Sequence, residues 1–282
     1  MNSTSKASAL FSLGRPFTSL LGAVAIFAAS FVGAGTNLGE YWAYVILGVL
    51  IGYLFTTASN ASNDYCDRNE DKINHPERPI PSGRIGVKTA LAFSSAVFGL
   101  SIVLAAVLAT LVGAAILIVF LAALGVQVAY DLKVKKTKIV GNLFIGFQTV
   151  LAFLFGGVIV GNLDPVAFMA TASFLAITAR EVVKDVEDIK GDANKTSLPK
   201  LIGIKKANII ALALISAAIG ISVVAYYPLH ILGLGYFVLI LVADAVFIGS
   251  MPLLFKNPNA ARKSWRYAMM LALIAFVVGG VM

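Results

Sequence analysis

The chain has 282 residues, of which 59% are hydrophobic and 13% charged, with a formal net charge of +8 and a mean hydropathy of +0.89. Soluble domains carry about 25% charged residues, so this composition excludes a water-soluble globule, a disordered chain and a nucleic-acid-binding domain. The single cysteine, Cys66, excludes an intramolecular disulfide and any multi-cysteine metal site.

A helix needs about 20 apolar residues to cross the hydrocarbon layer. Such runs fall near 17–34, 41–62, 89–109, 111–129, 140–161, 165–183, 207–226, 230–254 and 266–281. The sequence therefore predicts an all-α polytopic membrane protein of nine spans, forming one domain over 1–282. The first run is too long for a signal-peptide core and has no convincing cleavage site. The third and fourth are separated only by the residues around Thr110–Gly113, which demands a tight hairpin.

Taken in chain order, the charges sort by side. Lys6 and Arg15 precede the first span; Arg68, Lys72, Arg78, Arg84 and Lys88 follow the second. Lys133, Lys135, Lys136 and Lys138 follow the fourth; Arg180 and Lys184 through Lys206 lie around the end of the sixth; Lys256, Arg262, Lys263 and Arg266 follow the eighth. All 22 basic residues thus share one side, and the opposite loops hold only Glu40, Asp164 and His230. The positive-inside rule places the N-terminus and the long polar loops in the cytoplasm and the C-terminus outside.

Of the 14 acidic residues, 11 lie on that same side, most of them in two clusters. One ends the second span and contains Asn60, Asn63, Asp64, Asp67, Glu70 and Asp71; the other ends the sixth and contains Glu181, Asp185, Glu187, Asp188 and Asp192. At 100° per residue, Asn60, Asp64, Asp67 and Asp71 fall within about a 60° arc. Glu181, Asp185, Asp188 and Asp192 repeat the same 4, 3, 4 spacing, displaced by 121 residues. A second echo, Ile85-Gly86-Val87-Lys88 against Ile202-Gly203-Ile204-Lys205, points to a degenerate internal duplication. The two clusters are then expected to face each other across a pseudo-symmetric bundle.

A solvated helix end explains one such cluster, but stacked carboxylates repel at these spacings. Two matching clusters point to cations that relieve the repulsion. Carboxylate oxygens without His or Cys suit Mg²⁺ with a substrate phosphate. The six aspartates and a diphosphate need metal ions, and Arg78, Arg84, Lys133, Lys135, Arg180 and Lys184 supply further positive charge. His75 reads as an incidental loop residue and Cys66 as packing. Asp244, the one acid well inside a span, is a candidate functional group or a helix-to-helix hydrogen bond. Gly141, Gly146, Gly156 and Gly157 read as close-packing positions.

At these residues the sequence resembles the UbiA superfamily of intramembrane prenyltransferases. Its first signature, N-D-x-x-D-x-x-x-D, is matched by Asn63, Asp64, Asp67 and Asp71; its second, D-x-x-D-x-x-x-D, by Asp185, Asp188 and Asp192. Between them lie Tyr130, Lys133, Lys135 and then Gly141-Asn142, as is frequent in the family. The resemblance implies nine helices around a central cavity, Mg²⁺ as cofactor, and transfer of a prenyl group from its diphosphate. It implies metal ligation by Asn63, Asp67, Asp71, Asp188 and Asp192, with Asp64 and Asp185 completing the catalytic shell. Asn60, Asn63, Arg78, Arg84, Tyr130, Lys133, Lys135, Arg180 and Lys184 are implied to meet the substrates.

The run Asn74-His-Pro-Glu-Arg78-Pro-Ile-Pro-Ser-Gly-Arg84 is similar to the archaeal ether-lipid branch, as is Arg180 through Asp192 followed by Ser197-Leu198-Pro199. That branch joins a geranylgeranyl group to the sn-2 hydroxyl of a prenylated glyceryl phosphate, a lipid-phosphate acceptor. The chain departs from many relatives after Arg15-Pro16, where Phe17-Thr18 stands in place of an early Asn. Prenyl transfer to an aromatic acceptor is the alternative within the family. A transporter of a cation or an anionic lipid is the alternative outside it, disfavoured because the polar groups gather at one interface and not at the midplane.

Overall fold

The computed structural model describes residues 3–132, 137–190 and 196–280. In chain order the helices are α1 (Ser3–Gly14), α2 (Pro16–Ala34), α3 (Leu38–Cys66), α4 (Arg68–Asn74), α5 (Val87–Val112), α6 (Ala115–Leu132) and α7 (Lys138–Val160). They continue with α8 (Asp164–Glu187), α9 (Leu198–Ile202), α10 (Ile204–Val224), α11 (Leu234–Ser250), α12 (Leu253–Lys256) and α13 (Pro258–Gly279). Single 3₁₀ turns follow α2, at Gly35–Asn37, and α8, at Asp188–Lys190. The described residues form no strand; a lone bridge joins Thr137 to Thr196.

The all-helical membrane architecture is as the sequence implies, but the span count differs. Seven stretches among the described residues are long and apolar enough to cross a bilayer. The first of them, Pro16–Cys66, runs two expected spans together across the Gly35–Asn37 turn. The last expected span is absent from the seven, because α13, which covers 266–279 of it, also carries Arg262, Lys263 and Arg266. The expected hairpin is present: α5 ends at Val112, Gly113 turns with φ 135°, and α6 starts at Ala115. That φ is open to glycine and strained for other residues.

Two compact units divide the chain. The first comprises Met1–Phe27 and Trp42–Leu132. Within it, α1 was not expected, being too short to span. Its Ala9 and Leu13 are buried with Ala61 of α3, Ala90 of α5, and Ile80 and Ile85 from the connection between α4 and α5. This small core anchors a polar loop from beneath. The loop also braces itself: Ile85 donates to the Pro79 carbonyl at 3.0 Å, and the Ser82 hydroxyl to the Arg78 carbonyl at 2.7 Å. Side chains such as Leu100, Val103 and Val107 of α5 and Ile118 and Leu121 of α6 are exposed, as expected of faces turned to lipid.

The second unit comprises Ala28–Tyr41 and Lys133–Met282. Its centre is α8, which packs on α7, α10 and α13. Ala176, Ala179, Val182, Val183 and Val186 of α8 meet Ala207, Ala211, Ile215 and Ala218 of α10, with Trp265 of α13 wholly buried beside them. Small side chains let the helices approach, and van der Waals contact drives association where lipid removes the hydrophobic advantage. On α7, a Cβ at Gly146 would lie 2.7 Å from Thr178 Oγ1 and 2.9 Å from the Phe174 ring, both on α8. The close-packing role read for Gly146 thus follows from contact with α8. The second acidic cluster sits at the end of that helix, so the α7–α8 approach sets its placement. Gly146→Leu is expected to cost about 1–3 kcal/mol by overpacking, read as a lowered thermal unfolding midpoint in detergent; an unchanged midpoint contradicts the close approach.

Candidate active site

The two acidic clusters fold alike in one informative detail. Helix α3 ends at Cys66, and Asp67 takes φ −87° and ψ 3° before α4 begins. Helix α8 ends at Glu187, and Asp188 takes φ −81° and ψ −1° before its 3₁₀ turn. Asp67 and Asp188 are the middle aspartates of the two signatures and occupy the same register in the 121-residue echo. Both lie in the sparsely populated bridge region of backbone space, where functional residues often sit. The i→i−4 ladder nevertheless continues through the first break: Asp67 donates to the Asn63 carbonyl at 2.8 Å and Asp71 to the Asp67 carbonyl at 2.9 Å. The carboxylates therefore stay near one face across the break.

In the first unit, Asp64 and Asp71 are buried, with relative exposures of 1% and 4%. Buried carboxylates need pairing, and arginines provide it. Arg78 Nη1 reaches both oxygens of Asp71, at 2.7 and 2.8 Å, and one oxygen of Asp64 at 3.4 Å. Arg15 pairs with that same Asp64 oxygen. Arg15 stands between α1 and α2 with a positive φ of 48°, and the bend directs it onto α3. Asn60 secures the bend by donating to the Gly14 carbonyl at 3.0 Å and to Ser19 Oγ at 3.4 Å. Asn60 therefore serves the α1–α2 junction, a structural task that its place in the arc did not reveal.

The remaining expected residues of this unit separate into two groups. Asn63 is drawn to Asp131 at the end of α6, donating from Nδ2 to Oδ1 at 3.3 Å. Arg84 is exposed and is used within its loop, donating to the Glu77 carbonyl at 2.6 Å and to Ser82 Oγ at 3.1 Å. Tyr130 is half-buried beside Asp131. Lys133 and Lys135 lie outside the described residues.

In the second unit, Asp185 is buried and accepts a hydrogen bond from Asn142 Nδ2 at 2.8 Å. Glu181, also buried, accepts from Arg180 at 2.8 Å and lies 3.5 Å from Lys184 Nζ. Glu187 faces α13, accepting from Arg262 Nε at 2.8 Å and from Asn259 Nδ2 at 3.2 Å. That hydrogen bond holds the Arg262 guanidinium above its usual pKa. Asp188 is half-buried, and Asp192 lies outside the described residues.

Two residues that contact signature side chains escape sequence reasoning: Arg15 and Asp131. Arg15 is a lone basic residue whose partner is 49 positions away. Asp131 could have been found from Gln127 one helical turn before it, since amide–carboxylate pairs at that spacing are favourable; Gln127 Nε2 donates to its Oδ2 at 3.1 Å.

The donor set of Asn63, Asp67 and Asp71, and that of Asp185 and Asp188, consist of oxygens alone. This chemistry fits a hard divalent cation. Among the described residues no three His, Cys, Asp or Glu side chains gather closely enough to hold a metal on their own. One or two carboxylates completed by substrate phosphate and water is the usual Mg²⁺ arrangement.

Comparison with known proteins decides the family. The model of the UbiA prenyltransferase family matches residues 13–276. The chain belongs to the UbiA prenyltransferase family. Among its relatives, the digeranylgeranylglyceryl phosphate synthase of Methanosarcina mazei is 36% identical over 272 residues, covering 93% of this chain and 92% of that one. The synthase of the same name from Methanococcoides burtonii is 40% identical over 235 residues, covering 81% and 82%. A solved structure of digeranylgeranylglyceryl phosphate synthase superposes with a TM-score of 0.85 at 32% identity, over 98% of this chain and 99% of that one. A UbiA homolog from Archaeoglobus fulgidus bound to GPP and Mg²⁺ shares the fold, with a TM-score of 0.65 at 18% identity over 96% and 99% of the two chains.

Removing Arg78 from this UbiA family member leaves Asp71 buried without its main hydrogen-bond donor. Arg78→Ala is expected to destabilise the metal-free protein by about 1–3 kcal/mol, seen as a lower unfolding midpoint in chelator. No change in midpoint contradicts the pairing.

Proposed function

We propose that this prenyltransferase moves a geranylgeranyl group from geranylgeranyl diphosphate to the sn-2 hydroxyl of geranylgeranylglyceryl phosphate, forming the second ether bond of an archaeal membrane lipid. The observation that carries this reading is the 36% identity to a digeranylgeranylglyceryl phosphate synthase across 93% of the chain. The paired aspartate signatures, broken alike at Asp67 and Asp188, supply chemistry suited to a diphosphate.

In this reading Asn63, Asp67 and Asp71 hold one Mg²⁺, and Asp188 and Asp192 hold a second. Bound there, Mg²⁺ offsets the charge that gathers on the diphosphate as it leaves. Asp64 and Asp185 complete or orient that shell of ligands, partly through water, and Asp64 shares the Arg78 guanidinium with Asp71. Arg78, Lys133, Lys135, Arg180 and Lys184 donate to diphosphate or acceptor-phosphate oxygens. The allylic C–O bond breaks, the acceptor hydroxyl oxygen bonds to the released carbon, and its proton passes to a neighbouring carboxylate or to diphosphate. The allylic cation is electrophilic enough for a neutral hydroxyl, so no strong base is required. The apolar spans exclude water that would otherwise capture the cation. The whole chain acts as a single transmembrane domain, with these loops and the N-terminus on the cytoplasmic side and the C-terminus outside.

The test is purified protein with Mg²⁺, geranylgeranyl diphosphate and a panel of acceptors, read by mass spectrometry. The doubly prenylated glyceryl phosphate is the expected product. Asp67→Ala, Asp188→Ala and excess chelator are each expected to abolish it while the protein still inserts and folds. Product with 4-hydroxybenzoate and none with the glyceryl phosphate overturns the acceptor; full activity in chelator overturns the metal.

A further inference from the structure

We infer that Asp131 is a positioning residue that orients the Asn63 side chain of the first signature. The inference rests on the proposed metal-assisted reading of that signature and assigns a role to a residue outside both signatures. Asp131 is 7% exposed and lies at the C-terminal end of α6. Its Oδ2 accepts from Ser62 Oγ at 2.7 Å and from Gln127 Nε2 at 3.1 Å. Its Oδ1 accepts from Asn63 Nδ2 at 3.3 Å.

An ionised carboxylate accepts hydrogen bonds and donates none. The Asn63 amide can therefore face Asp131 only through its NH₂. Turned the other way, its carbonyl oxygen would oppose a carboxylate oxygen, with the repulsion strengthened by burial. The pairing fixes the amide and leaves its carbonyl oxygen, the end a hard cation can use, for the site. Ser62 and Gln127 in turn fix Asp131, one from the same helix as Asn63 and the other from one turn earlier on α6. An outer carboxylate that orients a metal ligand typically contributes about 10–100-fold to metal affinity or activity. The second unit holds a comparable pair with the partners exchanged, where the Asn142 amide donates to the signature carboxylate of Asp185 at 2.8 Å.

The experiment is a double-mutant cycle of Asp131→Asn and Asn63→Ala in the full-length protein in lipid nanodiscs. Mn²⁺ affinity is read by electron paramagnetic resonance with the unreactive donor analogue geranylgeranyl thiodiphosphate, and prenyl-transfer kinetics are read with Mg²⁺. Asp131→Asn is expected to weaken Mn²⁺ binding and raise the Mg²⁺ requirement about tenfold or more. It should lower the rate at saturating Mg²⁺ far less. In the Asn63→Ala background Asp131→Asn is expected to add less than about twofold, because coupled residues do not add. Ser62→Ala, which keeps the charge and loosens the clamp, is expected to give a smaller effect with the same non-additivity, and serves if Asp131→Asn does not fold. Equal losses from Asp131→Asn with and without Asn63 overturn the positioning role. Asp67→Ala is the control: if it binds Mn²⁺ and transfers prenyl groups as the unaltered protein does, the metal reading fails and this inference with it. If Asp67→Ala loses Mn²⁺ while the cycle is additive, the positioning role alone fails.

Discussion

Burial of carboxylates beside arginine is the interaction on which the first signature depends. Asp64 and Asp71 lie almost wholly out of water, and one guanidinium nitrogen of Arg78 reaches both. That contact requires the connection between α4 and α5 to hold its shape, which it does through buried Ile80 and Ile85 and through its own hydrogen bonds. The bend at Arg15 brings a second guanidinium to Asp64. A short helix, a loop core and a backbone bend thus serve a pair of charges. In the proposed reaction Arg78 also donates to the diphosphate, so one guanidinium would serve both the buried carboxylates and the substrate.

The second signature, in the second unit, reaches a related result by other means. Asp185 is met by the neutral amide of Asn142, and the end of α8 is fastened by Glu187 to Arg262 of α13. The common element is the backbone break at the middle aspartate, seen at Asp67 and Asp188 with nearly identical angles. The two signatures share that local geometry while their supporting partners differ. The helices beneath are arranged to match: alanines on α8 and α10 and the bare face of Gly146 let the helix that carries the second signature sit close to its neighbours.

Much of this was legible in the sequence because a bilayer permits few arrangements. Apolar runs located the long helices. The 4, 3, 4 spacing of acids located both signatures, and the Thr110–Gly113 hairpin follows from the shortness of the connection. The rest depended on tertiary contacts that no local pattern encodes. Asn60 shares the helical arc of the aspartates, yet its amide is bound to the Gly14 carbonyl. Arg78 and Arg84 look equivalent in one loop, but one meets buried carboxylates and the other closes its own turn. Asp131 stands beside conspicuous lysines and a tyrosine, and its contact with Asn63 spans 68 residues. Helix α1 is too short to register as a span and gains its place from two buried side chains, Ala9 and Leu13.

The central claim is that both aspartate signatures bind divalent cations when a prenyl diphosphate is present. Equilibrium dialysis with Mn²⁺ and the unreactive donor analogue tests it directly, by counting cations bound per chain. The account predicts two in the unaltered protein and one after either Asp67→Ala with Asp71→Ala or Asp188→Ala with Asp192→Ala. A count that is the same in all three proteins would contradict it.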